Sequence, residues 1–179
     1  MEAAQGARDA AHAADGVRRK EVTGRLSVFF LARLRQIDPA VETAHVDPHD
    51  FTTLVKERDE ADKTFEDSSV AGSPKVTTNV ALLLALRDLG RIDAAVRMPP
   101  LMIIDSLLAG LGATGLDHDT SLRLIDTLIS IADEPSADGY ACQVIAATND
   151  PLPRPYLGVR EIPISESHRF FDHAPRLES

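Results

Sequence analysis

Apolar residues recur every three or four positions at Val22, Leu26, Phe29, Phe30, Leu34 and Ile37. That spacing lines one face of an amphipathic helix over 21–39, and Pro39 ends it. Upstream, residues 1–20 are rich in Ala, Gly and charge without an apolar stripe, which fits a flexible or a helical arm. VETAHV (41–46) and DFTTLV (50–55) flank the turn dipeptide Asp47-Pro48 and read as two short strands. The charged run KERDEADKTFEDSS that follows reads as a solvated connector. Lys75 to Leu89 predicts a second helix, apolar around much of its girth from Val80 to Leu86, with Gly90 closing it at the C′ position. Leu101 to Ile104 is a short unbroken apolar run, the mark of a strand covered on both faces. Thr120 to Ala132 predicts a third helix with Leu122, Ile125, Leu128, Ile129 and Ala132 inward, and Asp117, Asp119 and Thr120 offering N-cap oxygens. Gln143 to Ala147 reads as a buried strand and Val159 to Ile164 as a weaker one. This alternation of helix and strand from Lys75 onward predicts an α/β layer with a mainly parallel sheet.

Composition sets the scale. The 179 residues, 44% hydrophobic and 26% charged, suit one globular domain with its own core. A formal net charge of −9 means the chain as a whole does not attract phosphate backbones. Contact with nucleic acid would need a local basic cluster such as Arg18-Arg19-Lys20, or another chain. The single cysteine, Cys142, excludes an intrachain disulfide framework and reads as a small buried residue in CQVIAAT. No apolar run is long enough to span a membrane, and the N-terminus lacks the apolar core of a secretory signal, so a cytoplasmic location is expected. His45, His49, His118, His168 and His173 show no metal-ligand spacing, and neither Ser73 nor Ser106 lies in a G-x-S-x-G frame.

Candidate chemistry sits where predicted strands end. In a parallel sheet, ligands bind outside the carboxyl ends of the strands. LMIID delivers Asp105 there, and QVIAAT delivers Thr148-Asn149-Asp150. Such a carboxylate either caps the next turn or holds a magnesium ion whose other ligands are phosphates. The second helix is opened by the small-residue loop Val70 to Lys75, where free backbone N–H groups and the helix dipole favour an anion. A loop with Gly110, Gly112 and Gly115 follows Asp105.

In this order the segments resemble the C-terminal half of an ABC-class ATPase head of the SMC/RecF/RecN type, over roughly residues 20 to 170. VAGSPKVTTNVALLLAL resembles the signature loop and helix, LMIID the Walker B strand, Leu111-Gly112 the D-loop, and QVIAATND the strand that ends in the switch residue. The resemblance implies a partial P-loop NTPase lobe over 40–170, preceded by a helix returning from a coiled coil and followed by a tail at 171–179. It also implies ATP and magnesium as cofactors, with Asp105 on the metal, Ala71, Gly72, Ser73 and Lys75 toward the γ-phosphate of an opposing head, and Asn149 as sensor. Departures accompany it. The signature serine position holds Ala71, the residue after Asp105 is Ser106 in place of a glutamate that would polarise water, and Asn149 stands at the switch histidine. A serine is a poor general base without an activating partner. No G-x-x-x-x-G-K-[ST] occurs in the chain. The resemblance therefore implies a composite ATPase, completed by a Walker A-bearing polypeptide or second head and acting on DNA through that assembly. The other expectation is a non-catalytic interaction module or remnant built on the same half-fold.

Overall fold

The computed structural model describes residues 2–57, 65–66, 73–93, 95–96, 98–108, 116–134, 142–148 and 151–163. Helix α1 runs unbroken from Glu2 to Ile37. Its two parts differ in what they touch. Residues 8–21 are all exposed, whereas Leu26, Phe30, Leu34 and Ile37 form a buried stripe against the rest of the chain. Burial of those four side chains anchors the C-terminal half of the helix at roughly 1.5–3 kcal/mol each. Asp38 N bonds back to Leu34 O, and the chain then turns at Pro39 into β1 (Val41–Val46).

Strand β1 pairs antiparallel with β2 (Thr53–Glu57), which pairs antiparallel with β3 (Phe65–Glu66). Val41, Ala44 and Val46 face the core beside α1. Helix side chains satisfy backbone groups of β1. Val46 N donates to Ser27 Oγ at 2.9 Å, and Arg35 donates to the carbonyls of Val41 and Glu42. The second predicted strand starts later than its sequence suggests. Asp47–Thr52 form a tight turn in which Asp50 accepts from Thr52 N and Phe51 holds a positive φ of 63°.

Helix α2 (Ser73–Ile92) buries Val80, Ala81, Leu84, Ala85 and Leu89 and packs along α1. It runs through Gly90, which is therefore no C-cap. A Cβ at Gly90 would lie 2.9 Å from the carbonyl oxygen of Val96, so the glycine is explained by close approach of the following loop. Helix α3 (Leu116–Asp133) begins earlier than expected, which places Asp117, Asp119 and Thr120 inside it and not at its cap. Its buried face is also rotated. Leu124, Ile125, Leu128 and Ile131 are inward, with Leu122, Ile129 and Ala132 at the flanks. Arg123, on that flank, donates Nε to Ile37 O at the end of α1 at 2.8 Å.

The parallel sheet consists of β4 (Leu101–Ile104) and β5 (Gln143–Ala146), in register from Leu101–Gln143 to Ile104–Ala146. The expectation of a mainly parallel sheet holds for this pair, while the other sheet is antiparallel. Nor is β4 covered on both faces. Met102 and Ile104 are buried, but Leu101 is 39% exposed and Ile103 69% exposed, with Ile145 beside them at 48%. Cys142, just before β5, is buried, but no residue of β5 is, so the expected buried strand is instead open on its outer face, where the sheet ends among the described residues. Residues 159–163 form no strand. They follow a turn closed by Val159 N to Tyr156 O, with Gly158 at φ 81°, and are exposed. Among the described residues no helix is long and apolar enough to cross a membrane.

Candidate nucleotide-facing site

Four buried or ladder-bonded residues deliver Asp105 to the carboxyl end of β4. Its carboxylate is exposed. The next residue, Ser106, turns the chain with a φ of 56°, a left-handed conformation that costs an L residue about 1–2 kcal/mol. Its hydroxyl approaches Asp105 Oδ1 at 3.4 Å. The ladder then closes behind the turn, since Ala147 N donates to Ile104 O at 2.9 Å and Leu107 N to Ala147 O at 3.0 Å. Leu107 and Leu108 plug back into the core. The two strand ends are thus tied together, and the chain leaving β5 at Ala147-Thr148 runs beside the Asp105–Leu107 turn.

Ser73 and Lys75 stand in the first turn of α2, and Pro74 occupies one of the first helical positions, where a missing N–H costs nothing. Ala71, Gly72, Leu111, Gly112 and Asn149 lie outside the described residues. The structure therefore brings together Asp105, Ser106 and the end of β5, and it fixes the helix start at Ser73. Among the described residues no group of three or more His, Cys, Asp or Glu could hold a metal ion. Asp105 and Ser106 supply one carboxylate and one hydroxyl, and the sequence holds no phosphate loop. These residues fit a single ligand to a magnesium ion; they do not by themselves make a nucleotide site.

No family model matches the chain, and no curated protein matches it. Its fold does have counterparts. A chain from a study of ATP-driven dimerization and DNA-stimulated activation of SMC ATPases aligns over 77% of this chain and 75% of its own, at 14% identity and a TM-score of 0.55. An SMC head bound to the C-winged helix domain of ScpA aligns over 74% of this chain and 37% of its own, at 15% identity and a TM-score of 0.49. The fold is SMC-head-like.

Within this SMC-head-like fold, the structure adds polar residues that sequence reasoning passed over. Arg33 on α1 donates twice to Asp88 on α2, at 2.6 and 2.9 Å. Arg87, buried on α2, and Arg91 both reach Glu134 beyond α3, at 3.1 and 2.8 Å. The bond to Asp88 raises the Arg33 pKa above its ordinary value against the opposing effect of burial. Burial works against ionisation of Glu134, yet the Arg87 bond and the charges of Arg33, Arg87 and Arg91 together hold its pKa below the usual carboxylate value. No sequence signal pointed to these pairs, because the partners lie 43 to 55 residues apart.

Proposed function

We propose that the chain is the C-terminal portion of an SMC-like ATP-binding protein acting on DNA, incomplete without a Walker A half. One observation carries this reading: an acidic residue stands at the carboxyl end of a parallel β4–β5 pair within an SMC-head-like fold. The likeness in fold spans most of both aligned chains, so the matched unit is about the size of this chain. In the proposed assembly, Asp105 is a magnesium ligand, with Ser106 beside it. Ala71, Gly72, Ser73 and Lys75 face the γ-phosphate of an opposing head, Leu111 and Gly112 form the connecting loop, and Asn149 senses the phosphate. The phosphate loop comes from a Walker A-bearing polypeptide or a second head, and the amphipathic helix over 21–39 is the return of a coiled coil. That the helix over 21–39 continues unbroken upstream to Glu2 is consistent with that last element.

A second reading is favoured by Ser106 and by the absent phosphate loop: a non-catalytic interaction module on the same fold. Binding measurements separate the two. The chain is titrated with Mg-ATP, alone and mixed with a candidate Walker A polypeptide, as wild type and as Asp105→Ala. The ATPase reading expects negligible affinity alone and magnesium-dependent affinity in the mixture, weakened at least tenfold by Asp105→Ala, about 1.4 kcal/mol. Equal affinity of both proteins in every mixture would overturn it in favour of the interaction module.

A further inference from the structure

Two residues of the basic run Arg18-Arg19-Lys20 line a cavity of about 250 Å³ between α1 and the turn after β1. The helix contributes His12, Asp15, Arg19 and Lys20 to its wall, and the turn contributes Pro48 and His49. Gly16 also lies in the helix wall, where a Cβ would meet open space. Asp15 accepts from Arg19 Nε at 3.0 Å, and Arg19 Nη2 stands 2.9 Å from the same oxygen. Among the described residues no carboxylate pairs with Lys20. Counting the lining alone, two cations meet one carboxylate, so one positive charge is in surplus, and each imidazole adds an N–H donor. Asp47 and Asp50 belong to the turn but not to the lining. Asp47 accepts from His49 N at 2.7 Å, and Asp50 accepts from Thr52 N at 3.0 Å and from Thr52 Oγ1 at 2.7 Å.

The same turn carries Phe51, two residues beyond His49. Its φ of 63° is an outlier for a bulky side chain, and the residue is 54% exposed. The backbone is held there by Asp47 N to Thr52 O at 2.9 Å and Phe51 N to Asp47 O at 3.0 Å. Phe51 belongs neither to the core nor to the apolar side chains packed on it. Glycine or asparagine would suit both the backbone and the solvent better. What phenylalanine adds is an aromatic surface close to a cavity with surplus positive charge.

We propose that the cavity and Phe51 together bind single-stranded DNA, with a backbone phosphate received by Lys20, Arg19 and the imidazoles and an unpaired base stacked on Phe51. This rests on the reading of the chain as part of a protein acting on DNA, and it names the form of DNA. A basic groove beside exposed aromatics is the way single strands are held without readout of their sequence. Two features decide against a duplex. Stacking on a side chain needs a base that is free of its pair, and a net charge of −9 opposes the approach of a broad, densely charged double helix.

A fluorescein-labelled oligothymidylate, titrated with the full chain at low salt without ATP and followed by anisotropy, tests this. The proposal expects saturable binding, weakened by added NaCl and about threefold or more tighter than binding to a duplex of equal length. Phe51→Ala and Gly16→Glu should each weaken it about fivefold or more, while Phe51→Tyr should stay within about twofold. Both positions are exposed, and a urea midpoint no lower than that of wild type shows that the fold is kept. Arg160→Gln makes the same change in net charge as Gly16→Glu outside the cavity, and should alter affinity less than twofold. Absence of binding in wild type, equal affinity for the duplex, full affinity in Phe51→Ala, or equal loss in Arg160→Gln would each overturn it. Asp105→Ala should bind the oligonucleotide as wild type does, because the cavity shares no residue with the Asp105 end of β4. Failure here and failure of Mg-ATP binding in the mixture are therefore separate results.

Discussion

At Gly90 two opposing effects meet in one methyl group. Alanine is the better helix former by about 1 kcal/mol. At this position, however, its Cβ would stand 2.9 Å from the backbone oxygen of Val96, with Met98 side-chain atoms at 3.5 and 3.7 Å. A backbone oxygen cannot rotate aside as a side chain can, so the clash wins. Gly90→Ala is expected to destabilise the chain by about 1–3 kcal/mol. Gly24 on α1 is the control, because nothing lies within 4 Å of the place a Cβ would take there. Gly24→Ala should gain about 0.5–1 kcal/mol. Urea unfolding of both variants checks the pair, and midpoints that move in the same direction would remove the close-approach explanation. Ser106 provides a third case at this scale. Its φ of 56° suits glycine better than serine, so Ser106→Gly should raise stability by about 1 kcal/mol in the same assay. A loss of stability there would mean that the hydroxyl beside Asp105 contributes more than the strained backbone costs.

The elements differ in how much of them the sequence disclosed, and the reason is physical in each case. The apolar stripe of α1 was legible because burial imposes a period of its own on the chain. The apolar runs of β4 and β5 disclosed strands but not their open face, because an unbroken apolar run does not say which side is covered. The rotation of α3 was not. Leu122, Leu124, Ile125, Leu128, Ile129 and Ile131 offer two overlapping apolar faces, and only packing against neighbours selects one. Gly90 misled because a glycine at a helix end serves either backbone freedom or close approach, and local sequence does not separate them. For the candidate site, Asp105 was legible as the end of an apolar run. The left-handed turn at Ser106 was not, because a serine carries no signal for positive φ. The arginine network was hidden by sequence distance, and it makes a prediction for the joint between α1, α2 and α3. Glu134 has its pKa lowered in the fold, so its stabilising contribution is complete above the unfolded value of about 4.3 and is lost as pH falls through the depressed folded value. Asp93, lowered by the Ala95 backbone N–H and then by Arg25, titrates in the same sense. Stability should therefore fall as the pH drops below about 5. Glu134→Gln should be less stable than wild type at pH 7 and should flatten the fall, with a residual slope left by Asp93. Denaturation midpoints from pH 7 to 3 decide it, and an unchanged slope in Glu134→Gln would assign the acid sensitivity elsewhere.

For the whole molecule, the decisive feature is a sheet of only two parallel strands among the described residues. Parallel sheets are usually covered on both faces, because their crossover connections lay helices over them. Here one face of β4–β5 rests on the core through Met102 and Ile104, while Leu101, Ile103 and Ile145 present an apolar patch on the other. Ladder groups along the outer sides of such a pair are templates for another chain. A patch of this kind, bordered by strand edges, favours association. The chain should self-associate in solution, with sedimentation velocity at micromolar concentrations showing a weight-average mass that rises with loading. Replacing Ile103 and Ile145 together by Lys puts two charges onto the patch without touching the buried face. That variant should sediment closer to a monomer, with its unfolding midpoint little changed, because neither side chain is part of the core. A wild-type chain that remains monomeric at every concentration would count against an incomplete sheet, and with it against a head that needs a second polypeptide. Association that survives in the lysine variant would instead place the contact elsewhere, with the exposed Leu157 and Ile162 as the next residues to replace.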